Sequence, residues 1–295
     1  MGFIGRIFRG DEPKGPSDAV LPGQGSRFWP GGDERSFRAI HTASGTDPRT
    51  GKRIFRSGLG VSSRSQGEAE QLAQEHARQA IADAVSGREG RLGSYAYANR
   101  RLEPLVDTLS VASAEAARVT VNVYGALVMN AASALFADVD LVDDERGARD
   151  TEPVPEEISA LVARRAELGF RLYRTRAGWR YLCTTRLFDP TSDETRPLLE
   201  ELGADPKYVL LCRVQKTFRA RLTPKPWRAR HGALYVSPTK GIARTDLQKY
   251  VDRTWGYATA RHAGRVGRDE PLADLLPVID YHDRWTQAES GKPLA

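Results

Sequence analysis

Two aspartates spaced two residues apart, Asp138 and Asp140, are the side chains of this 295-residue chain best placed to do chemistry. They lie in an apolar stretch, residues 133–144, whose composition predicts a β-strand. Residues i and i+2 of a strand point to the same face, so both carboxylates are expected to project together. Paired carboxylates can hold divalent cations, Mg²⁺ or Mn²⁺, which polarise phosphate oxygens during nucleotidyl or phosphoryl transfer.

Basic residues are concentrated in two spans that follow this strand. The span 213–230 holds seven basic residues and the span 171–186 holds five, and neither contains Asp or Glu. A guanidinium suits phosphate because it can donate two parallel hydrogen bonds, and an exposed indole can stack a base or cover a sheet edge. The candidate phosphate- and nucleic-acid-binding residues are Arg174, Arg180, Arg219, Arg221, Lys225, Trp227 and Arg228. The net charge of +6 also favours an acidic partner.

The elements that must position these residues follow the order β-α-β-β-α-β. They are predicted at 133–141, 155–168, 169–175, 179–186, 192–214 and 217–223. This order is the signature of an α+β, ferredoxin-like sheet of the split βαβ, RRM or palm type. In the usual spatial order the first strand lies between the third and the fourth. The side chains of Arg219 and Arg221 are then expected beside the two carboxylates, on a face that the helices leave open.

The pattern has two functional interpretations. In the first, the protein binds nucleic acid or nucleotide, with metal-dependent nucleotidyl or phosphoryl transfer as the enzymatic form of that function. Asp138 and Asp140 are then the catalytic and metal-binding residues. In the second, the Asp and Arg rows pair across the strands as structural salt bridges, and the protein is a non-catalytic interaction or assembly protein.

The N-terminal third is predicted to form a separate module. Residues 1–34 are rich in Pro and Gly and read as a flexible tail and linker. Residues 35–92 predict two strands around a turn at 45–51, then a helix from Ser63 or Ser65 to about Val85. This hairpin and helix resemble the small arm modules that some integrases lay on DNA, and a plain scaffold is the alternative.

The remainder is predicted as a ferredoxin-like core over 93–243 and a helical elaboration over 244–295. Within it, residues 95–117 are expected to be helical. The two cysteines, Cys183 and Cys212, lack the spacing of a disulfide framework or a thiolate zinc site, which fits a reducing cytoplasm. The longest apolar run is too short to span a bilayer. The five histidines lack zinc-ligand spacing, and no phosphate-cradling loop or serine nucleophile motif is present.

Several stretches resemble those of a bacterial protein family to which no activity is assigned, over roughly residues 35–286. They are Tyr124–Asn130, Phe136–Leu141, Phe218–Arg228 and Tyr257–Arg261. More distantly, the acid pair over residues 118–223 resembles the palm domain of archaeo-eukaryotic primases, which implies polynucleotide synthesis with metal ions.

Two positions differ from the primase pattern. A later strand of that pattern presents a small residue and then a histidine, whereas the corresponding stretch here ends in Arg180. A third metal-binding acid is also unassigned. Asp280 and Asp283 are candidates if the C-terminal segment folds back onto the sheet.

Overall fold

The computed structural model of the protein describes residues 20–30, 32, 35–86, 103–141 and 153–295. Its described sheets are antiparallel, and they are combined with six α-helices in a mixed α+β fold. The strands are β1 (Arg27–Phe28), β2 (Phe37–Thr46), β3 (Arg53–Ser62), β4 (Leu105–Val111), β5 (Ala114–Val121), β6 (Leu127–Ala131), β7 (Phe136–Asp140), β8 (Gly169–Thr175), β9 (Gly178–Cys183), β10 (Phe218–Arg221), β11 (Ile242–Ala243) and β12 (Ala260–Gly267). The helices are α1 (Gln66–Val85), α2 (Glu156–Arg164), α3 (Thr195–Glu201), α4 (Pro206–Gln215), α5 (Arg244–Thr254) and α6 (Leu276–Thr286). Within the described ranges, no helix combines the length and the apolar composition needed to cross a bilayer.

The predicted hairpin and helix of the N-terminal module are confirmed. β2 and β3 pair along their whole length, and α1 packs against one face of the hairpin. Ser65 begins the helix as its N-cap, because its hydroxyl accepts a hydrogen bond of 3.2 Å from the backbone N–H of Glu68. The helix lies directly on the strand because Gly60 has no side chain. A Cβ at that position would lie 1.7 Å from the carbonyl oxygen of Ala69.

The main core lies around two four-stranded sheets. Their strand orders are β10-β6-β5-β4 and β12-β8-β9-β7. β6 and β9 are buried over their whole length, which explains why their sequences are nearly continuous in apolar residues instead of alternating. Residues 20–30, expected to belong to a linker, instead pack on this core through Leu21 and Phe28. The predicted tail over 1–19 lies outside the described residues.

The complete ferredoxin-like sheet is not confirmed. Three of its strands have the expected neighbours, since β9 lies between β7 and β8 and pairs antiparallel with both. The fourth does not, because β10 pairs with β6 in the other sheet and leaves β7 at the end of its own. The physical reason is that the β-rich segment before β7 supplies another partner for β10, and strand pairing at this distance leaves no local trace in the sequence.

One further prediction of secondary structure is wrong, and another is confirmed only in part. The part of 95–117 that the structure describes is not helical but contains β4 and the start of β5. Its sequence alternates over the second half of β4, where Leu109 and Val111 are partly buried and Thr108 and Ser110 are exposed. Residues 244–295 were predicted to be helical, but this region is interrupted by β12, which pairs with β8. The predicted apolar stripe of α5 is confirmed, since Leu247, Tyr250 and Val251 are buried.

Candidate functional site

β7 presents its two aspartates on one face, as the alternation of its sequence predicts. Ala137 and Val139 are buried on the opposite face. The register places Arg180 of β9 directly opposite Asp138, and Tyr173 of β8 opposite Arg180. A row of polar side chains therefore crosses the sheet on the face of the aspartates.

Asp138 and Arg180, the two members of this row nearest the edge of the sheet, form a bidentate ion pair. Arg180 donates from Nε to Oδ1 of Asp138 at 2.6 Å and from Nη2 to Oδ2 at 3.0 Å. The side chain of Arg180 is 1% exposed and that of Asp138 is 30% exposed. The third guanidinium nitrogen, Nη1, donates to the carbonyl oxygen of Arg221 at 2.9 Å. The buried charge is thus neutralised and fixed in orientation.

The face of the aspartates was expected to be open, but helix α6 covers part of it, because His282 of α6 packs on Arg180 and supplies a second part of the network. The ring of His282 lies between Arg180 and Asp283, with Nε2 at 3.3 Å from Nη1 of Arg180 and Nδ1 at 3.2 Å from Oδ1 of Asp283. Burial is the main cause that lowers the pKa of His282, and the charge of Arg180 lowers it further. A neutral ring with its proton on Nδ1 satisfies both contacts, because it donates to Asp283 and accepts from Arg180.

Asp283 was a candidate for a third metal-binding acid, and the C-terminal segment does fold back onto the sheet. The carboxylate of Asp283, however, already binds protein side chains there. It accepts hydrogen bonds of 2.6 Å from the hydroxyl of Tyr173 and of 2.6 Å from Nη2 of Arg171. The neighbouring candidate, Asp280, is exposed. Neither acid joins Asp138 and Asp140 as a ligand set.

Asp140 has a different environment from Asp138. It lies at the exposed end of β7, and within the described ranges its carboxylate makes no hydrogen bond or ion pair. Loss of surrounding water raises its pKa, and the negative charges of Asp138 and Asp205 raise it further. The charges of Lys225 and Arg221 act in the opposite direction. The end of β7 therefore holds an acid that is repelled by like charges and attracted by nearby cations.

The last residue of β10 and the segment that follows it bring positive charge to this end of β7. We refer to Arg221, Lys225, Trp227 and Arg228 as the cationic segment. The indole of Trp227 is 54% exposed and packs edge-on against Tyr124, with ring centroids 5.1 Å apart. The ammonium of Lys225 lies 5.7 Å from the centre of the same indole. Burial lowers the pKa of Arg228, while the charge of Asp140 counteracts this effect.

Two of the predicted arginines lie elsewhere. Arg219 was expected beside the carboxylates, but it is buried in the other sheet, where it donates to Glu103 at 2.8 Å and to Gln215 at 2.7 Å. Its displacement follows from the pairing of β10 with β6. Arg174 points to the opposite face of β8 from Tyr173, and its guanidinium lies 4.6 Å from the ring centre of Trp179. Neither side chain contributes to the end of β7.

Sequence reasoning missed the contribution of Asp205. The backbone N–H of Asp205 donates to the carbonyl oxygen of Asp138 at 2.9 Å, which brings its negative charge to the end of β7. Its side chain caps α4 by accepting from the backbone N–H of Lys207. The motif Asp-Pro after a glycine identifies such a cap in the sequence, although not the strand against which the cap lies.

Within the described residues, no group of three or more His, Cys, Asp or Glu side chains is arranged to hold a metal ion. No family model, curated protein or solved structure matches the chain significantly.

Proposed function

We propose that the protein binds nucleic acid or a nucleotide at the surface where the end of β7 meets the cationic segment. The observation that carries the proposal is the position of Trp227, an exposed indole flanked in sequence by Lys225 and Arg228. A half-exposed aromatic ring beside two cations offers a base a stacking surface and its phosphates a counter-charge. Asp140 adds a hydrogen-bond acceptor for a ribose hydroxyl or an exocyclic amine.

The ion pair between Asp138 and Arg180 limits what Asp138 contributes. Because both carboxylate oxygens already accept from the buried guanidinium, the pair holds the strand end in place instead of offering an open ligand. The positive charge that faces incoming phosphate then comes from Lys225, Arg228 and Arg221. Arg180 acts in this proposal as a positioning residue.

A second candidate function is metal-dependent nucleotidyl or phosphoryl transfer, the form that the primase-like resemblance implies. The raised pKa of Asp140 favours it, because a bound cation would relieve the repulsion from Asp138 and Asp205. Magnesium is commonly held by one or two carboxylates together with substrate phosphates. Asp140 would be one ligand, and Asp138 would have to be shared with Arg180. The bound cation would supply polarisation of a phosphate oxygen.

The metal form is tested by calorimetry with Mg²⁺ and Mn²⁺, with and without ATP, on the wild type and on Asp140→Asn. Heat of binding that is present in the wild type with ATP and lost in the variant supports the metal form. Equal heats for both proteins overturn it and leave the binding function as proposed above.

Binding itself is tested by fluorescence anisotropy with a single-stranded oligonucleotide of about 12 bases, within the usual range of single-strand site sizes. Trp227→Ala should weaken binding by about tenfold, since stacking contributes about 1–3 kcal/mol per base. The matched control is Tyr235→Ala, because Tyr235 is an aromatic residue of the same loop region that is 84% exposed. Its affinity should stay within about twofold of wild type.

A second pair of variants separates charge from stacking. Lys225→Ala should reduce the slope of log affinity against log salt by about 0.7, the value for one phosphate contact on a single strand. Lys240→Ala, at an exposed lysine, serves as the control. Undetectable wild-type binding at low salt would overturn the proposal and favour an interaction protein whose Asp and Arg residues pair structurally.

A further inference from the structure

The hairpin of β2 and β3 has one covered and one open face. α1 covers the face of Gly58 and Gly60. The opposite face is lined by Ile40, Thr42, Ser44, Arg53, Phe55 and Ser57, which the register places side by side. Phe55 is 57% exposed and Ile40 is 39% exposed. Near its base this face is closed, since the guanidinium of Arg38 lies 4.7 Å from the ring centre of Trp29, so the open part is the half nearer the tip.

Charge is divided sharply between the two layers of this module. The strands β2 and β3 contain three arginines and neither Asp nor Glu, whereas α1 contains four acids and a single arginine. The turn between the strands adds Arg49 and Lys52 against Asp47. A polyanion is therefore attracted to the hairpin side and repelled by the helix side.

The open half also carries groups suited to reading base edges. Arg53 lies across the hairpin, with Nη2 donating to the hydroxyl of Ser44 at 3.1 Å and its guanidinium 5.4 Å from the ring centre of Phe55. The hydroxyls of Thr42 and Ser57 lie 2.8 Å apart in the centre of the face. Hydroxyls and guanidinium groups are donors and acceptors for bases, and an apolar ring can contact a thymine methyl group.

We infer that the open face of the hairpin binds double-stranded DNA in the major groove. Within the described residues β2 and β3 pair only with each other, and a two-stranded ribbon fits a groove that is about 12 Å wide. The major groove of an RNA duplex is too deep and narrow to admit it, so the geometry selects DNA. Arg53 and Phe55 contact bases, and Arg49 and Lys52 of the turn contact phosphates. This inference does not rest on the proposed function of the cationic segment.

The test is fluorescence anisotropy of the full chain with a mixed-sequence DNA duplex of about 20 base pairs, two turns of the double helix. Arg53→Gln should weaken binding by about fivefold or more, the loss of one arginine contact. The matched control is Arg78→Gln, which removes the same charge from the exposed side of α1. The DNA affinity of this variant should stay within about twofold of wild type, because the charge that it removes lies far from the bound duplex.

A second arm uses an RNA duplex of the same sequence. The inference predicts binding at least about tenfold weaker than to DNA at equal salt, because only the B-form groove admits the ribbon. Equal affinity for the two duplexes, or equal affinity of Arg53→Gln and Arg78→Gln for DNA, overturns it. Thermal melting of both variants verifies that each is folded, as expected for substitutions at exposed positions.

Failure of this inference can be distinguished from failure of the proposed function. Trp227→Ala should leave duplex binding unchanged while it weakens single-strand binding. Loss of duplex binding in Trp227→Ala but not in Arg53→Gln would assign the duplex to the cationic segment and overturn the role of the hairpin. Duplex binding that needs Arg53, in a protein without single-strand binding, would support the hairpin and overturn the proposed function.

Discussion

Asp138 and Arg180 face each other across β7 and β9 and are joined by two hydrogen bonds, of 2.6 Å and 3.0 Å. The guanidinium of this pair is almost completely buried, and its remaining nitrogen is bound to the carbonyl oxygen of Arg221. Removing the carboxylate would leave a buried cation with a neutral partner, whereas removing the cation would leave a carboxylate that is partly in contact with water. Loss of Asp138 and loss of Arg180 should therefore have different effects on stability.

The substitution Asp138→Asn should lower the free energy of unfolding by about 2–4 kcal/mol. The usual loss for breaking a buried pair is about 3–5 kcal/mol, and the partial exposure of Asp138 reduces it. Urea denaturation measures the change. The control is Glu115→Gln at the exposed pair with Arg118, which should change the free energy by less than about 1 kcal/mol. Equal effects of the two substitutions would contradict the role assigned to Arg180.

Asp140→Asn should raise stability at neutral pH. The pKa of Asp140 is raised in the folded state, so the folded chain binds the proton more tightly than the unfolded chain. The ionised carboxylate then lowers stability above its folded pKa, and this effect is absent below the unfolded value of 3.8. Melting temperatures at neutral pH and near pH 4 check the prediction. A variant that is less stable than wild type at neutral pH would contradict it.

His282 should make stability depend on pH below its ordinary pKa of 6.5. Because burial lowers the pKa in the folded state, the stability contributed by the neutral ring is present above 6.5 and is lost as the pH falls through the folded pKa. Asp138 and Asp283 oppose this shift and Arg180 adds to it. In the variant His282→Phe the dependence between pH 5 and 7 should be flatter, as melting curves across that window would show.

Gly60→Ala should destabilise the N-terminal module by about 1–3 kcal/mol, as overpacking does in a close contact. The added methyl carbon would meet the carbonyl oxygen of Ala69 at 1.7 Å and the nitrogen of Ala73 at 2.6 Å, both of them backbone atoms that cannot move aside alone. Gly67→Ala in α1 is the control, since nothing lies within 4 Å of its Cβ and alanine favours a helix. Hydrogen exchange of the hairpin amides should accelerate in the first variant only.

The sequence predicted the elements whose signals are local. The β2–β3 hairpin and α1 follow from turn residues, a serine cap and a small-residue stripe. The two faces of β7 follow from its alternation. Lys225, Trp227 and Arg228 were named as candidates for binding phosphate and bases, but of the span 213–230 only Arg219 and Arg221 were expected beside the acids.

The parts that were missed depend on pairing between distant segments. Nothing near Arg219 in the sequence indicates that Glu103 lies beside it or that β10 has β6 as its neighbour. β12 was predicted as helix because Gly264 and the polar residues around it hide the alternation of a strand. The role of His282 depends on α6 lying over Arg180, which no spacing along the chain reveals.

The bond from Arg180 to the Arg221 carbonyl has a kinetic consequence. It joins β9 of one sheet to the last residue of β10 in the other, at the point where the cationic segment starts. In the proposed binding function, a ligand would meet a segment whose first residue is already fixed, so little conformational entropy would be lost on association. Association should therefore be fast and governed by long-range attraction, and differences in affinity among ligands should appear mainly in how slowly they leave.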